Sequence, residues 1–277
     1  MPFSPTYDVP EDRRAYSFEA GPVGVLMLHG FLGSPISSRP LAQYLANQGI
    51  SVHCPLLPGH GQLPNKLVGV TGRDWLAEAE EGLVTLRQKC DQIFIMGHSM
   101  GNVLGAHLAL RSNDILGMIM LAPASEVPDK RLRHLRWLKY VLPWFYPLWM
   151  KSLHPLVHER LHEFDPTLDL DDPVVQERLP EMTRLPTATI DEMRQMVESG
   201  RPLWPQLDLP VIIFQGKQDI AVDERTTEAL LELLPNADKQ LYLFDEGGHE
   251  LMRPFDPAHE QVWTAVLDFI RRHEGIR

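Results

Sequence analysis

The sequence predicts an α/β protein built on a mostly parallel, doubly wound sheet with an inserted helical cap. Three observations predict it. Short apolar runs recur at 23–28, 50–54, 92–96, 117–121, 211–215 and 240–244. They lack in/out alternation, as expected for parallel strands covered on both faces. Helical patterns at 40–48, 74–88, 102–111 and 224–234 lie between most of these runs, and such alternation argues for a parallel sheet. The alternation then stops between about residues 124 and 206. That stretch is rich in Pro, Leu, Trp, Arg and His, shows no strand signal, and holds four of the six tryptophans. The pattern resumes at Leu209-Pro210. The expected division is a core of 1–124 and 206–277 with a helical cap or lid over 125–205.

Taken in order, the run 23–28 feeds the loop His29-Gly30-Phe31-Leu32-Gly33, and 50–54 feeds the sharp turn Pro58-Gly59-His60-Gly61. Thr71 and Asp74 have the spacing of a capping box at the start of the second helix. The run 92–96 leads into Gly97-His98-Ser99-Met100-Gly101, and a helical pattern follows from Asn102. Gly-x-Ser-x-Gly between a strand and a helix describes a tight turn that strains its serine. Gly97 and Gly101 would lack side chains because strand and helix meet there. The Ser99 hydroxyl would project above the sheet at a helix N-terminus, where free amides face any developing negative charge.

Bulk properties bound the rest. A chain of 277 residues buries one full core, or one core with an inserted subdomain. Its 44% hydrophobic and 23% charged residues are ordinary for a soluble globular protein. The net charge of −11 disfavours nucleic acid as a partner, because phosphate binding needs a basic face. Cys54 and Cys90 give no disulfide framework and read as buried free thiols. Residues 1–14 lack the basic start and apolar run of a signal peptide. No stretch approaches the roughly 20 apolar residues of a membrane span. The expectation is a soluble cytoplasmic protein.

A serine nucleophile needs a base to take its proton and an acid to orient that base. Both should stand in loops beyond strand ends. Asp219 lies in such a loop after 211–215, and His249 lies in the glycine-rich loop after 240–244, 30 residues later. The rival carboxylates are Asp223, which reads as an N-cap, and Asp245, which reads as a turn residue. Among the twelve histidines, His29 and His98 belong to other motifs, His53 to a strand and His107 to a helix. His134, His154, His158 and His162 lie in the insertion, and His259 and His273 in the terminal helix. His60, in its turn, reads as neither catalytic nor metal-binding. The oxyanion donors are expected to be the backbone N–H groups of Met100 and Phe31, with glycines letting the His29–Gly33 loop turn. His29 reads as a structural hydrogen-bonding residue. No zinc spacing and no nucleotide or phosphate loop occurs, so neither metal nor cofactor is expected.

These motifs together resemble the α/β-hydrolase superfamily, and within it the bacterial carboxylesterase and monoacylglycerol lipase group. The similarity runs from Gly21 to Pro35, through Arg39-Pro40-Leu41-Ala42, the Gly-His-Gly turn, Asp74-Trp75 and Gly97–Gly101. It covers about residues 20–125 and 207–270 and is vague in the insertion. The resemblance implies an α/β-hydrolase fold and a serine hydrolase acting through an acyl-enzyme. Ser99 would be the nucleophile, His249 the base, Asp219 the orienting acid, and the Phe31 and Met100 amides the oxyanion hole. The chain departs from the group in having Asn102 where a second glycine is usual, and in a longer insertion.

Within the insertion, Leu132, Leu135, Leu138 and Val141 fall on one helical face with basic residues between. Trp137, Trp144, Phe145 and Trp149 are candidate substrate-lining residues of a lid, with weak contact to a lipid surface as a further expectation. The expected activity is hydrolysis of lipophilic carboxylic esters, with monoacylglycerol or medium- to long-chain acyl esters the sharpest reading, by a monomer or weak homodimer. A carbon–carbon bond hydrolase, a thioesterase, an acyltransferase and a non-catalytic receptor on the same fold stay open. Serine at position 99 excludes dehalogenase and epoxide hydrolase chemistry, which would place an aspartate there.

Overall fold

A computed structural model describes residues 9–275, apart from 128, 156, 159–160 and 162–167. Seven strands form the main sheet: β1 (Tyr16–Phe18), β2 (Val23–Leu28), β3 (Ser51–Cys54), β4 (Gln92–His98), β5 (Ile115–Leu121), β8 (Val211–Gly216) and β9 (Lys239–Phe244). Their order is β1-β3-β2-β4-β5-β8-β9. All neighbours are parallel except β1, which runs antiparallel to β3. The six expected strands are present. β1 was not anticipated, because three residues carry too little pattern to register.

The missing alternation has a physical cause. Along β2, Val25 and Met27 enter one core, while Leu26 and Leu28 enter the other. The first core is completed by α1 (Arg39–Asn47) and α8 (His259–His273), and the second by α2 (Gly72–Arg87), α3 (Gly101–Leu110) and α7 (Glu224–Leu233). β2 and β8 are buried throughout, whereas β9, at the sheet edge, is mostly half-buried. The capping box at α2 is formed: Asp74 N–H donates to Thr71 Oγ1 at 3.4 Å, and Thr71 N–H donates to Asp74 Oδ2 at 2.8 Å. Asp223 caps α7, accepting from Arg225 N–H at 2.9 Å, as its spacing predicted. Each such cap contributes about 1 kcal/mol. Cys54 and Cys90 are free and buried. Burial pushes the Cys54 thiol up to about 12, which leaves it inert.

Between β5 and β8 the chain forms α4 (Leu135–Leu138), β6 (Trp144–Phe145), α5 (Pro173–Thr183), β7 (Leu185–Pro186) and α6 (Thr187–Gly200). The antiparallel pair β6–β7 corrects the expectation of a wholly helical insertion. α6 anchors this region to the core. Glu192 accepts from Gly72 N–H at 3.1 Å, Thr189 Oγ1 donates to the Leu67 carbonyl at 2.8 Å, and His107 donates to Ser199 Oγ at 2.8 Å. Fully buried Asp191 on α6 accepts from Lys139, just beyond α4, at 2.8 Å and from Arg194 Nε at 2.9 Å. The expected apolar stripe splits. Leu132 and Leu135 pack inward, whereas Leu138 and Val141 are 38% and 71% exposed. No helix among the described residues is long and apolar enough to cross a membrane.

Candidate active site

Four loops at the carboxyl ends of the parallel strands build the site. The first joins β4 to α3. Ser99 has φ +52° there, a left-handed conformation costing a non-glycine residue about 1–3 kcal/mol. The tightness of the turn explains its glycines. A Cβ on Gly97 would lie 2.5 Å from Asn102 N, and one on Gly101 would lie 2.1 Å from the Leu28 carbonyl oxygen. Ser99 N–H donates to the Leu121 carbonyl at 2.9 Å, which fastens the turn to the end of β5.

The second loop, after β2, presses on the serine. A Cβ on Gly30 would stand 2.9 Å from Ser99 Cβ, so this glycine is required by close approach. The left-handed turn in this loop is taken by Leu32 at φ +62°, which corrects the expectation that its glycines do the turning. The Phe31 ring packs edge-on against Trp75 at 5.9 Å and His60 at 6.1 Å, anchoring the backbone on either side of it. His29 holds the loop as a structural residue. Leu57 N–H donates to its Nε2 at 3.1 Å, so Nδ1 carries the hydrogen and donates to the Gly30 carbonyl at 3.0 Å. His60 is buried, donates through Nδ1 to the Pro58 carbonyl at 3.1 Å, and has no partner at Nε2. Burial pulls its pKa down to about 4. Among the described residues no group of three His, Cys, Asp or Glu could hold a metal ion.

The third set comprises the loops after β8 and β9. His249 Nδ1 donates to Asp219 Oδ2 at 2.7 Å, leaving the Nε2 lone pair of the neutral ring available as a proton acceptor. Burial opposes the Asp219 charge. Hydrogen bonds from His249, Val222 N–H and Ala221 N–H outweigh it and hold the carboxyl below its usual range. The two backbone bonds measure 2.9 and 2.7 Å. The rivals stand elsewhere: Asp223 caps α7, and exposed Asp245 pairs with Lys217 at 2.7 Å.

Two supports escaped the sequence reading. His98 Nε2 donates to the His249 carbonyl at 2.9 Å, with the rings 4.6 Å apart. Asp256 accepts from Gly248 N–H at 2.8 Å and from Ala258 N–H at 2.9 Å, closing the loop that bears His249. The Asx pattern in Asp256-Pro257-Ala258 was the available signal for the second. The remaining histidines serve other contacts. His53 bonds Ser17, His154 bonds the Leu148 carbonyl, His259 bonds the Asp256 carbonyl, and His273 bonds Asp238. His134 and His158 are exposed, and His162 lies outside the described residues.

Beside the second loop lies a largely apolar cavity. Leu32, Gly33 and Ser34 form one wall, and Phe145, Val157, Leu161, Met182 and Leu185 form the other. Of the four aromatic residues expected to line a substrate pocket, Phe145 lines this cavity. Trp144 lies under the Arg184 guanidinium at 4.1 Å, outside the cavity lining. Trp137 and Trp149 are 67% and 78% exposed on the outer surface. The helix carrying Trp137 is one turn long and turns that side chain outward, while Trp149, at the end of the short turn Pro147–Trp149, stacks on Tyr146 at 4.6 Å.

A family model described as Hydrolase_4, serine aminopeptidase S33, matches residues 23–257. The chain is 28% identical over 272 residues to the thermostable monoacylglycerol lipase of Bacillus sp. strain H-257, covering 98% of this chain and 100% of the relative. It is 23% identical over 260 residues to the carboxylesterase of Bacillus subtilis strain 168, covering 94% and 96%. Among solved structures, one described as LipS and LipT, two metagenome-derived lipolytic enzymes, superposes with a TM-score of 0.78 at 23% identity, over 96% of this chain and 100% of that one. The monoacylglycerol lipase of Paleococcus ferrophilus superposes with a TM-score of 0.72 at 19% identity, over 94% and 98%. These superpositions speak for the fold, and the family match over most of the chain speaks for descent: the protein belongs to the Hydrolase_4 (serine aminopeptidase, S33) family and is an α/β-hydrolase enzyme similar to carboxylesterases and monoacylglycerol lipases.

Proposed function

We propose that the protein hydrolyses lipophilic carboxylic esters, with monoacylglycerols or other medium- to long-chain acyl esters as substrates, through an acyl-enzyme on Ser99. The observation that carries this reading is the pairing of two loops. Ser99 is strained at φ +52°, its neighbour His98 bonds the His249 carbonyl at 2.9 Å, and His249 Nδ1 is held 2.7 Å from a buried aspartate. Ser99 Oγ attacks the ester carbonyl carbon, and its proton passes to His249 Nε2. Asp219 fixes the tautomer and stabilises the imidazolium. The Phe31 and Met100 N–H groups receive the oxyanion. The alcohol leaves with the proton from His249. Water, deprotonated by His249, then attacks the acyl carbon, releasing the carboxylic acid and restoring Ser99.

The apolar cavity supports a lipophilic acyl group, with residues 125–205 acting as the cap that completes it and Phe145 touching the chain. Trp137, Tyr140, Val141, Leu142 and Trp149 are exposed close in sequence to Arg131, Arg133 and Arg136. This outer surface is suited to weak contact with an anionic lipid interface, and co-sedimentation with anionic against zwitterionic vesicles tests it. Two free, buried cysteines fit a reducing cytoplasm.

The decisive experiment is hydrolysis of an ester series of increasing acyl length, with a monoacylglycerol, by the wild type and Ser99→Ala. Turnover that Ser99→Ala abolishes and that peaks at medium or long chains is the expected result. Serine-dependent turnover limited to short esters would reject the lipophilic substrate class while keeping the mechanism. Absence of turnover on every ester rejects ester hydrolysis.

A further inference from the structure

Asn102 stands where a glycine is usual in the group this chain resembles, and its side chain is fully buried in the elbow. Nδ2 donates to the Ser99 carbonyl at 3.0 Å and to the Leu121 carbonyl at 2.9 Å. Two carbonyl oxygens at these distances require an NH2 between them, which settles the orientation of the amide and uses both of its hydrogens. The same Leu121 oxygen accepts from Ser99 N–H at 2.9 Å. One carboxamide therefore closes a ring of hydrogen bonds that includes both backbone polar groups of the strained serine.

The Ser99 carbonyl and the Met100 N–H are the two ends of a single peptide group. That group is planar and trans, so its C=O and N–H point in opposite directions. Whatever fixes the Ser99 carbonyl fixes the aim of the Met100 N–H. The other donors to this carbonyl, Asn102 N–H at 3.2 Å and Ala124 N–H at 3.4 Å, are longer. The geometry points to Asn102 as a positioning residue that aims the Met100 amide at the developing oxyanion by holding the opposite end of its peptide plane. This rests on the proposed roles of Ser99 and Met100.

The test compares the wild type, Asn102→Ala, Asn102→Gly and Asn102→Asp, with Ser99→Ala as the blank. A serine-directed phosphonate titrates the reactive serines, so kcat and KM on a short soluble ester are expressed per labelled site. Affinity for a trifluoromethyl ketone, which forms a tetrahedral oxyanion adduct, is measured alongside. Removal of the carboxamide should lower kcat per labelled serine by about 10- to 100-fold, less than or comparable to deletion of an oxyanion donor. KM should stay within about twofold, and ketone affinity should fall in parallel with kcat. Asn102→Asp sets carboxylate oxygens against two carbonyls and should fall furthest. A merely structural role would reduce the titratable fraction or the melting temperature while kcat per labelled serine stayed within about twofold, and that result overturns the inference. Asn102→Gly provides the same reading if Asn102→Ala fails to fold. Failure of wild-type Ser99 to label would instead overturn the serine mechanism, and the two failures are therefore distinguishable.

Discussion

Acidification should unfold this protein partly through His60, a residue far from any carboxylate partnership. Its ring is enclosed by His29 at 5.0 Å, Trp75 at 5.7 Å and Phe31 at 6.1 Å, and burial pulls its pKa from 6.5 to about 4. The native state thus resists a proton that the unfolded chain accepts readily. Between these two values the unfolded state binds more protons, so stability is full above about pH 6.5 and is lost as pH falls toward 4. The slope approaches about 1.4 kcal/mol per pH unit, and the loss between pH 7 and pH 4.5 amounts to about 2–3 kcal/mol. Urea unfolding of the wild type and His60→Phe over that range isolates the effect, because other titrations cancel in the difference. The phenylalanine keeps an aromatic ring against Phe31 and Trp75. The Pro58 carbonyl retains its bond from Trp75 Nε1 at 3.1 Å, so no buried acceptor is orphaned. The advantage of the wild type over the variant should shrink by about 2–3 kcal/mol on acidification. Stability curves that run parallel, within about 0.5 kcal/mol, would refute the reasoning.

Further outcomes follow from the site and the cap. Asp219→Asn should lower kcat by about 10⁴-fold, because an amide can donate to Nδ1 and so favours the wrong tautomer; steady-state kinetics on a soluble ester reads it. Gly30→Ala should keep the fold but slow phosphonate labelling of Ser99 at least tenfold, on the order of 1–3 kcal/mol for the clash at 2.9 Å between the new methyl and Ser99 Cβ. Asp191→Ala leaves Lys139 and Arg194 without their buried partner and should cost about 3–5 kcal/mol in urea unfolding. Met182→Trp should fill part of the apolar cavity and move the preferred ester toward shorter acyl chains, with little change on acetate esters.

What the sequence made legible followed from periodicity and from punctuation. Buried parallel strands announced themselves as unbroken apolar runs, and the glycines at 97 and 101 announced a turn too tight for a Cβ. The Asp219–His249 pairing was readable because both residues stand just beyond strands in loops with little else to do. β1 was invisible because three residues paired antiparallel at an edge leave no period. The β6–β7 pair was hidden for a related reason: it consists of two residues against two, one of them a proline. The Trp137 and Trp149 expectation failed on direction, since composition shows that aromatic residues are present but not which way a one-turn helix faces them. Asn102 was visible as a departure, but its two carbonyl partners belong to a distant strand end and to the serine itself, and only three-dimensional structure brings those together.

β5 and β8 are hydrogen-bonded neighbours, with Met118 opposite Val211 and Leu121 opposite Phe214. The polypeptide consequently departs from the sheet and returns to it at adjacent points, however long the excursion between them. Closing a longer detour adds only about 0.6 kcal/mol per doubling of its length. The junction is therefore a natural graft site. Material could be exchanged ahead of α6, whose Ile190 and Met196 belong to the core, to alter what the enzyme accepts, while the serine turn, its histidine and its aspartate stay on loops of the sheet.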